Sequence, residues 1–253
     1  LSEKEILRRS FVLTLTHCYH SRLNEEREAY RNLITRTCNR TPPHTIRLAS
    51  GDFYDIMYTE QRYYAEQMIT GAGIALNEAL CENIFMILVC ILNKIPIFVL
   101  GKPGSSKSLS VELIGSNLNG KTSDNAFFQE FPAVEIFSYQ CSPLSTSHGI
   151  EQTFHHAVRY QSNASNTIVT VLLDEVGLAE QSAHLPLKVL HKHLEKPEVA
   201  VVGISNWSLD RAKMNRAIHL TRPEPTAEDL KLTAMGIISS EHLSASLRSL
   251  ADA

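Results

Sequence analysis

Residues 101–109 read GKPGSSKSL and stand directly after the apolar run Ile95–Leu100. Gly101 and Gly104 permit backbone angles that turn successive N–H groups toward one point, a cradle for phosphate oxygens. Lys107 adds a point charge for the outer phosphates, and the Ser108 hydroxyl is a ligand for magnesium. A helix starting here would also present its positive N-terminal end. Lys102, Pro103, Ser105, Ser106 and Leu109 complete the connection and its backbone amides. The phosphate-loop consensus has glycine immediately before the lysine, whereas this chain has Ser106. The backbone there must suit a residue with a Cβ, which is a steric question rather than a chemical one. Taken alone, the stretch is also compatible with a plain Ser/Gly turn.

A second constellation ends the run TIVTVLLDE at residues 167–175. An apolar strand closing on two acids puts Asp174 at the carboxyl edge of a sheet, the edge from which a phosphate loop also emerges. Asp174 is then placed to hold magnesium through water, and Glu175 to orient or deprotonate an attacking water. The plainer alternative is that both acids are simply solvated. Asn206 follows another apolar run, EVAVVGIS, so its amide is expected between Glu175 and the terminal phosphate. Arg216 is expected at the edge of the unit, as a charge for a neighbour's nucleotide. Turn and surface roles compete for both residues. Gln140, leaving a further strand, is within prospective reach of Glu175. His191 and His193 lie at i,i+2 on a predicted helix, so their rings diverge and do not suggest a metal pair.

The elements that position these groups follow from periodicity. IPIFVL, AVEIFSYQ, TIVTVLLDE, EVAVVGIS and AIHLTR read as five strands; SKSLSVELIGSNL, GIEQTFHHAVRYQ, LPLKVLHKHLE and LDRAKMNRA read as the helices between them. Apolar strands separated by helices imply a parallel sheet covered on both faces, because parallel neighbours need crossover connections. Upstream, residues 2 to about 37 are expected to be helical, with Leu7, Phe11, Leu15, Tyr19 and Leu23 as the apolar stripe. TPPH at 41–44 breaks that pattern, and a further helix is predicted over 74–93. After residue 222, Thr226 is a helix N-cap with Glu228 and Asp229 in the first turn.

Composition narrows the possibilities. With 253 residues, 43% of them hydrophobic, the chain has material for a sizeable core. A formal net charge of −3 gives no electrostatic case for nucleic acid or an anionic membrane. The five cysteines are odd in number and scattered, without CxxC pairs, and read as reduced thiols of a cytosolic protein. NIFMILVCILNKIPIFVL has nearly the length of a membrane span, but Asn93, Lys94 and Pro96 interrupt it, so a buried helix followed by a buried strand is expected instead. The chain begins at Leu1 and reads as a piece of something longer.

The phosphate loop, the strand ending Asp-Glu, the strand-end Asn and the later Arg, in this order and at these intervals, resemble the AAA+ ATPase family over roughly residues 74–253. The phrases GKPGSSKSLS, FSYQCSPLSTSHGIEQTF, LLDEVGLAEQSAHLPLKVLHKHLE and SNWSLDRAKMNRA narrow the resemblance to one module of a giant RING-finger E3 ubiquitin ligase with a dynein-like AAA+ array. The resemblance implies an α/β phosphate-loop NTPase fold, with a five-stranded parallel sheet, the phosphate-bearing strand central, and a helical lid after it. It implies a helical segment over 1–73, an ATP-binding subdomain over 74–222 and the start of a lid over 223–253, with Arg248 as a lid arginine by position only. It further implies ATP and Mg2+ as cofactors, catalytic roles for Glu175, Asn206 and Arg216, metal ligation by Ser108 and Asp174, and nucleotide binding by residues 101–109. Expected partners are neighbouring AAA+ modules of the same chain and the ubiquitin machinery acting elsewhere in the parent. The expected location is the cytosol, with lipid-droplet association. The alternative activity is a stable ATP-bound clamp or sensor that does not hydrolyse. No zinc-binding RING pattern occurs in this chain, so ubiquitin transfer is assigned outside it.

Overall fold

The computed structural model describes residues 2–40 and 46–239. In chain order the helices and strands are α1 (Glu3–Cys18), α2 (Arg27–Arg40), α3 (Asp52–Gln67), α4 (Glu78–Leu92), β1 (Ile97–Leu100), α5 (Lys107–Asn117), α6 (Ala126–Gln129), β2 (Ala133–Gln140) and α7 (Ser147–Asn163). They continue with β3 (Thr167–Asp174), α8 (Val176–Ala179), α9 (Leu190–Glu195), β4 (Ala200–Ser205), α10 (Arg211–Met214), β5 (Ile218–Thr221) and α11 (Ala227–Ser239).

All five strands run parallel, in the spatial order β2-β3-β4-β1-β5. β1 is buried at every position, and its alternating side chains feed two separate cores. Ile97 and Val99 join Ile84, Ile87, Val111 and Ile114 of α4 and α5. Phe98 and Leu100 join Phe154, Val171 and Leu190 on the opposite face, beneath α7 and α9. Full burial of one such side chain contributes about 1.5–3 kcal/mol, so a strand of four residues is held strongly. Phe98 lies across Gly203 of β4; the Cβ that Gly203 lacks would stand 2.3 Å from the Phe98 ring. Closure of β1 on β4 therefore depends on that missing atom.

One expectation about the sheet needs correction. β4, not the phosphate-bearing β1, occupies the middle, and β1 lies between β4 and β5. β4 also separates β3 from β1, so Asp174 faces the loop across the end of β4.

The N-terminal region also differs from its expected single helix. α1 ends at Cys18, a short 3₁₀ turn covers His20–Arg22, and α2 begins at Arg27. The buried face is Val12, Thr16 and His20, while Leu7 and Tyr19 of the expected stripe are exposed. Val12 packs with Leu48, Phe53 and Met57, and the His20 ring lies against Tyr30 and Phe53, while the turn itself sits beside the edge strand β5. Ser21 Oγ donates to the His219 carbonyl at 2.7 Å and Arg27 Nη2 to the Thr221 carbonyl at 2.8 Å, so the turn covers a sheet edge that would otherwise leave backbone groups unpaired. The TPPH break and Arg248 lie outside the described residues. At the other end, Thr226 caps α11 as expected: its Oγ accepts from the Asp229 amide at 3.1 Å. No helix among the described residues is long and apolar enough to cross a membrane.

Candidate functional site

The loop between β1 and α5 turns on two residues with left-handed backbone. Gly104 has φ 84°, and nothing lies within 4 Å of where its Cβ would be. Ser106 has φ 57° and ψ 22°, a conformation a non-glycine residue adopts at a cost. Its side chain does not cap α5, so the first amides of that helix remain available to an anion. The Ser108 hydroxyl sits exposed in the same turn, whereas Leu109 points into the core behind it. Lys102 reaches away to pair with Glu224, tying the loop to the segment after β5. Pro103 is exposed at the loop's crest.

Lys107 folds back over this loop. Its Nζ donates to the carbonyls of Gly101 at 2.6 Å and Lys102 at 3.0 Å, to Ser105 Oγ at 3.2 Å and to Asn206 Oδ1 at 3.2 Å. Burial pulls its ammonium below the usual lysine range, while Glu175 and Asp174 oppose that shift. Asn206, one residue beyond β4, uses its Nδ2 to donate to both carboxylate oxygens of Glu175, at 3.1 and 2.9 Å. Glu175 itself has φ 51°, an uncommon conformation for a glutamate and one that concentrates at functional sites. Asp174 ends β3, and its Oδ1 accepts from the Glu175 amide at 3.0 Å.

The structure thus brings the loop, Lys107, Asp174, Glu175 and Asn206 to one edge of the sheet. It does not bring Arg216 there. Arg216 precedes β5 at the amino ends of the strands, where its Nε donates to Glu195 at 2.8 Å. Nor does Gln140 restrain Glu175: it is exposed at the end of β2, and Asn206 performs that restraint.

The donor set fits a nucleotide with its metal. Open space over Gly104, uncapped helix amides and an ammonium satisfied only by weak neutral acceptors suit phosphate oxygens. A magnesium ion bound chiefly by phosphates and water needs just one or two protein oxygens, which Ser108 and Asp174 offer.

Beside the loop lies a cavity of about 170 Å³, lined in part by His20, Arg27, Gly104, Ser106, Arg222 and Thr226. Sequence reading missed this end of the site. Arg222 has a side chain 6% exposed and pairs with Glu82, whose side chain is 1% exposed. Arg27 donates from Nη1 to the same carboxylate at 3.1 and 2.9 Å. Burial pulls both guanidinium groups down to about 10, and for Arg222 the neighbouring charge of Arg27 adds to the effect. The available signal was the pair Glu82-Asn83 inside the otherwise apolar LCENIFMILVC, since polar residues in a buried helix need partners.

A parallel sheet in this order, with a phosphate loop after β1, paired acids after β3 and an asparagine after β4, defines an AAA+ ATPase module. Within that class, the RNF213 AAA domain family matches residues 73–229, and the chain belongs to it. It is 40% identical over 250 residues to mouse (Mus musculus) E3 ubiquitin-protein ligase RNF213, covering 92% of this chain and 5% of that protein. The human (Homo sapiens) counterpart is 39% identical over 254 residues, covering 96% and 5%. The chain therefore spans about 5% of the length of these relatives. Among solved structures, C. elegans PCH-2 overlays with a TM-score of 0.41 at 15% identity, covering 74% of this chain and 54% of that one.

Proposed function

We propose that ATP binds with its phosphates on residues 101–108, and that Glu175 activates the water that cleaves it. In this reading the amides of the loop and of the first turn of α5 cradle the phosphates, together with Lys107. Ser108 and Asp174 hold magnesium, and the cavity beside Arg222 takes the nucleoside. Magnesium, when bound, supplies charge neutralisation on the phosphate oxygens. The protein's own contribution is orientation and electrostatics: Lys107 exchanges its loop carbonyls for phosphate oxygens, and Glu175 receives a proton from water.

The observation that carries this reading is the continuous chain Lys107 Nζ to Asn206 Oδ1 and Asn206 Nδ2 to Glu175. It links a phosphate-binding group to a candidate base through one side chain. Glu175→Gln is expected to retain ATP binding and lose phosphate release, whereas Lys107→Ala loses binding. Unchanged phosphate release in Glu175→Gln rejects hydrolysis by Glu175.

A second reading, a stable ATP-bound clamp, is favoured by one observation: Asn206 occupies both oxygens of Glu175. Single-turnover measurement separates the two, since a clamp keeps its ATP intact.

The division into a helical segment over 1–73, an ATP-binding subdomain over 74–222 and a lid from 223 belongs to the same proposal. So does Arg216 as a charge offered to an adjacent AAA+ module of the parent. The relatives' description as E3 ubiquitin-protein ligases supports a parent that transfers ubiquitin through other regions, and a location in the cytosol and on lipid droplets is part of the same proposal.

A further inference from the structure

Two adjacent residues of α4 connect the N-terminal helices to both ends of the phosphate loop. Glu82 accepts from Arg27 of α2 and from Arg222 after β5. Asn83, fully buried, donates from Nδ2 to the Ser105 carbonyl at 2.9 Å. Arg222 packs its stem on Gly101, where a Cβ would stand 2.8 Å from the Arg222 Cβ, and its amide donates to the Leu100 carbonyl at 2.8 Å. One end of the loop thus rests on Glu82 through Arg222, and the other rests on Asn83. Arg27 brings a third element to the same point, and it lies outside the region 73–229 shared by the family.

The arrangement holds more positive charge than simple attachment needs. Arg222 alone would neutralise Glu82, yet Arg27, largely shielded from solvent, is held beside it, and two cations on one buried anion leave a surplus that is poorly solvated. Glu78 and Asp229, at the cavity wall, offset part of it. Arg222 Nε, His20 Nδ1 and Asn83 Oδ1 are also buried without hydrogen-bond partners. An anion arriving on the adjacent loop relieves the surplus, so cluster and ligand stabilise each other.

We propose that Arg27 is a positioning residue for the phosphate loop, coupling the seating of residues 20–31 to nucleotide binding through Glu82, Asn83 and Arg222. This rests on the reading of the loop as a nucleotide site. Coupling of this kind is reciprocal: if the segment favours ATP, ATP favours the seated segment by the same factor.

Amide hydrogen exchange on the whole chain tests both directions, comparing wild type with Arg27→Ala, with and without ATP. Glu82 keeps Arg222 in this variant, and the β3 amides report whether the sheet is intact. Without ATP, Arg27→Ala is expected to speed exchange at residues 102–106 while β3 stays unchanged. ATP is expected to slow exchange over residues 20–31 in wild type but not in the variant, and the variant's ATP affinity to fall about fivefold or more. Arg27→Lys, which keeps the charge without the fork, is expected to fall between. The proposal is overturned if the loop is unaffected in Arg27→Ala, if β3 loosens with it, or if ATP protects 101–108 and leaves 20–31 unchanged. If Arg27→Ala loosens the loop but ATP protects no region of wild type, the structural coupling holds and the nucleotide reading fails.

Discussion

Asn206 grips Glu175 with one end of its amide and Lys107 with the other. The amide nitrogen must face the carboxylate and the oxygen must face the ammonium, so the two charged partners fix its orientation. Glu175 is consequently held away from free rotation, although it stands in a left-handed turn at the start of α8.

Asn206→Ala removes that grip while leaving three partners for Lys107. Single-turnover phosphate release is expected to fall about 100-fold, the size of a lost general-base contribution. ATP affinity should stay close to wild type. A larger loss of affinity than of turnover would place Asn206 in binding instead of water activation.

Ser106 replaces the consensus glycine at φ 57°, and its hydroxyl does not cap α5. Left-handed backbone costs a residue with a Cβ about 1–2 kcal/mol, while glycine gives back roughly 0.5–1 kcal/mol through unfolded-state entropy. Ser106→Gly is thus expected to stabilise by at most about 1 kcal/mol, raising the melting temperature slightly without changing turnover. Ser106→Val, branched at Cβ, should lower it. Calorimetric melting of both variants checks the sign.

How far the site was legible in the sequence depended on distance along the chain. β1 through β5 announced themselves as apolar runs, and the loop, Asp174, Glu175 and Asn206 followed because strand ends set their positions. The first helix misled, since the apolar stripe through Leu7 and Tyr19 gave no hint that the face bearing Val12 and His20 would pack around Phe53 instead. The Glu82 cluster joins residues 55 and 140 positions apart, a separation that no local pattern encodes. Arg222 stands directly before Pro223 with no local pattern around it, and only the folded chain presses its stem on Gly101.

His20 gives the fold an acid limit. Burial, with the charges of Arg27 and Arg31, lowers its pKa to about 3, against 6.5 for a free imidazole. Below pH 6.5 the unfolded chain takes up a proton that the folded chain refuses, so the unfolded state binds more protons and stability falls as pH drops toward 3. At pH 5 this one group is expected to remove roughly 2 kcal/mol. His20→Phe keeps the ring beside Tyr30 and Phe53 and should flatten the pH dependence of urea midpoints between 5 and 7. An unchanged slope would assign the acid sensitivity to other groups.

Stability and coupling at Glu82 can be separated by substitution. Glu82→Ala strands two buried guanidinium groups and is expected to cost about 3–5 kcal/mol, read from urea unfolding. Arg27→Ala leaves Arg222 on Glu82 and should cost clearly less. Replacing Arg27, Glu82 and Arg222 together by methionine fills similar volume without charge, and buried ion clusters so replaced are often as stable as before. If the cluster serves only to hold the fold, the triple variant should behave as wild type in every respect. If it positions the phosphate loop, the triple variant should melt near wild type yet bind ATP more weakly, because Gly101 has lost the charged anchor that α2 helped to set, while Asn83 still holds Ser105.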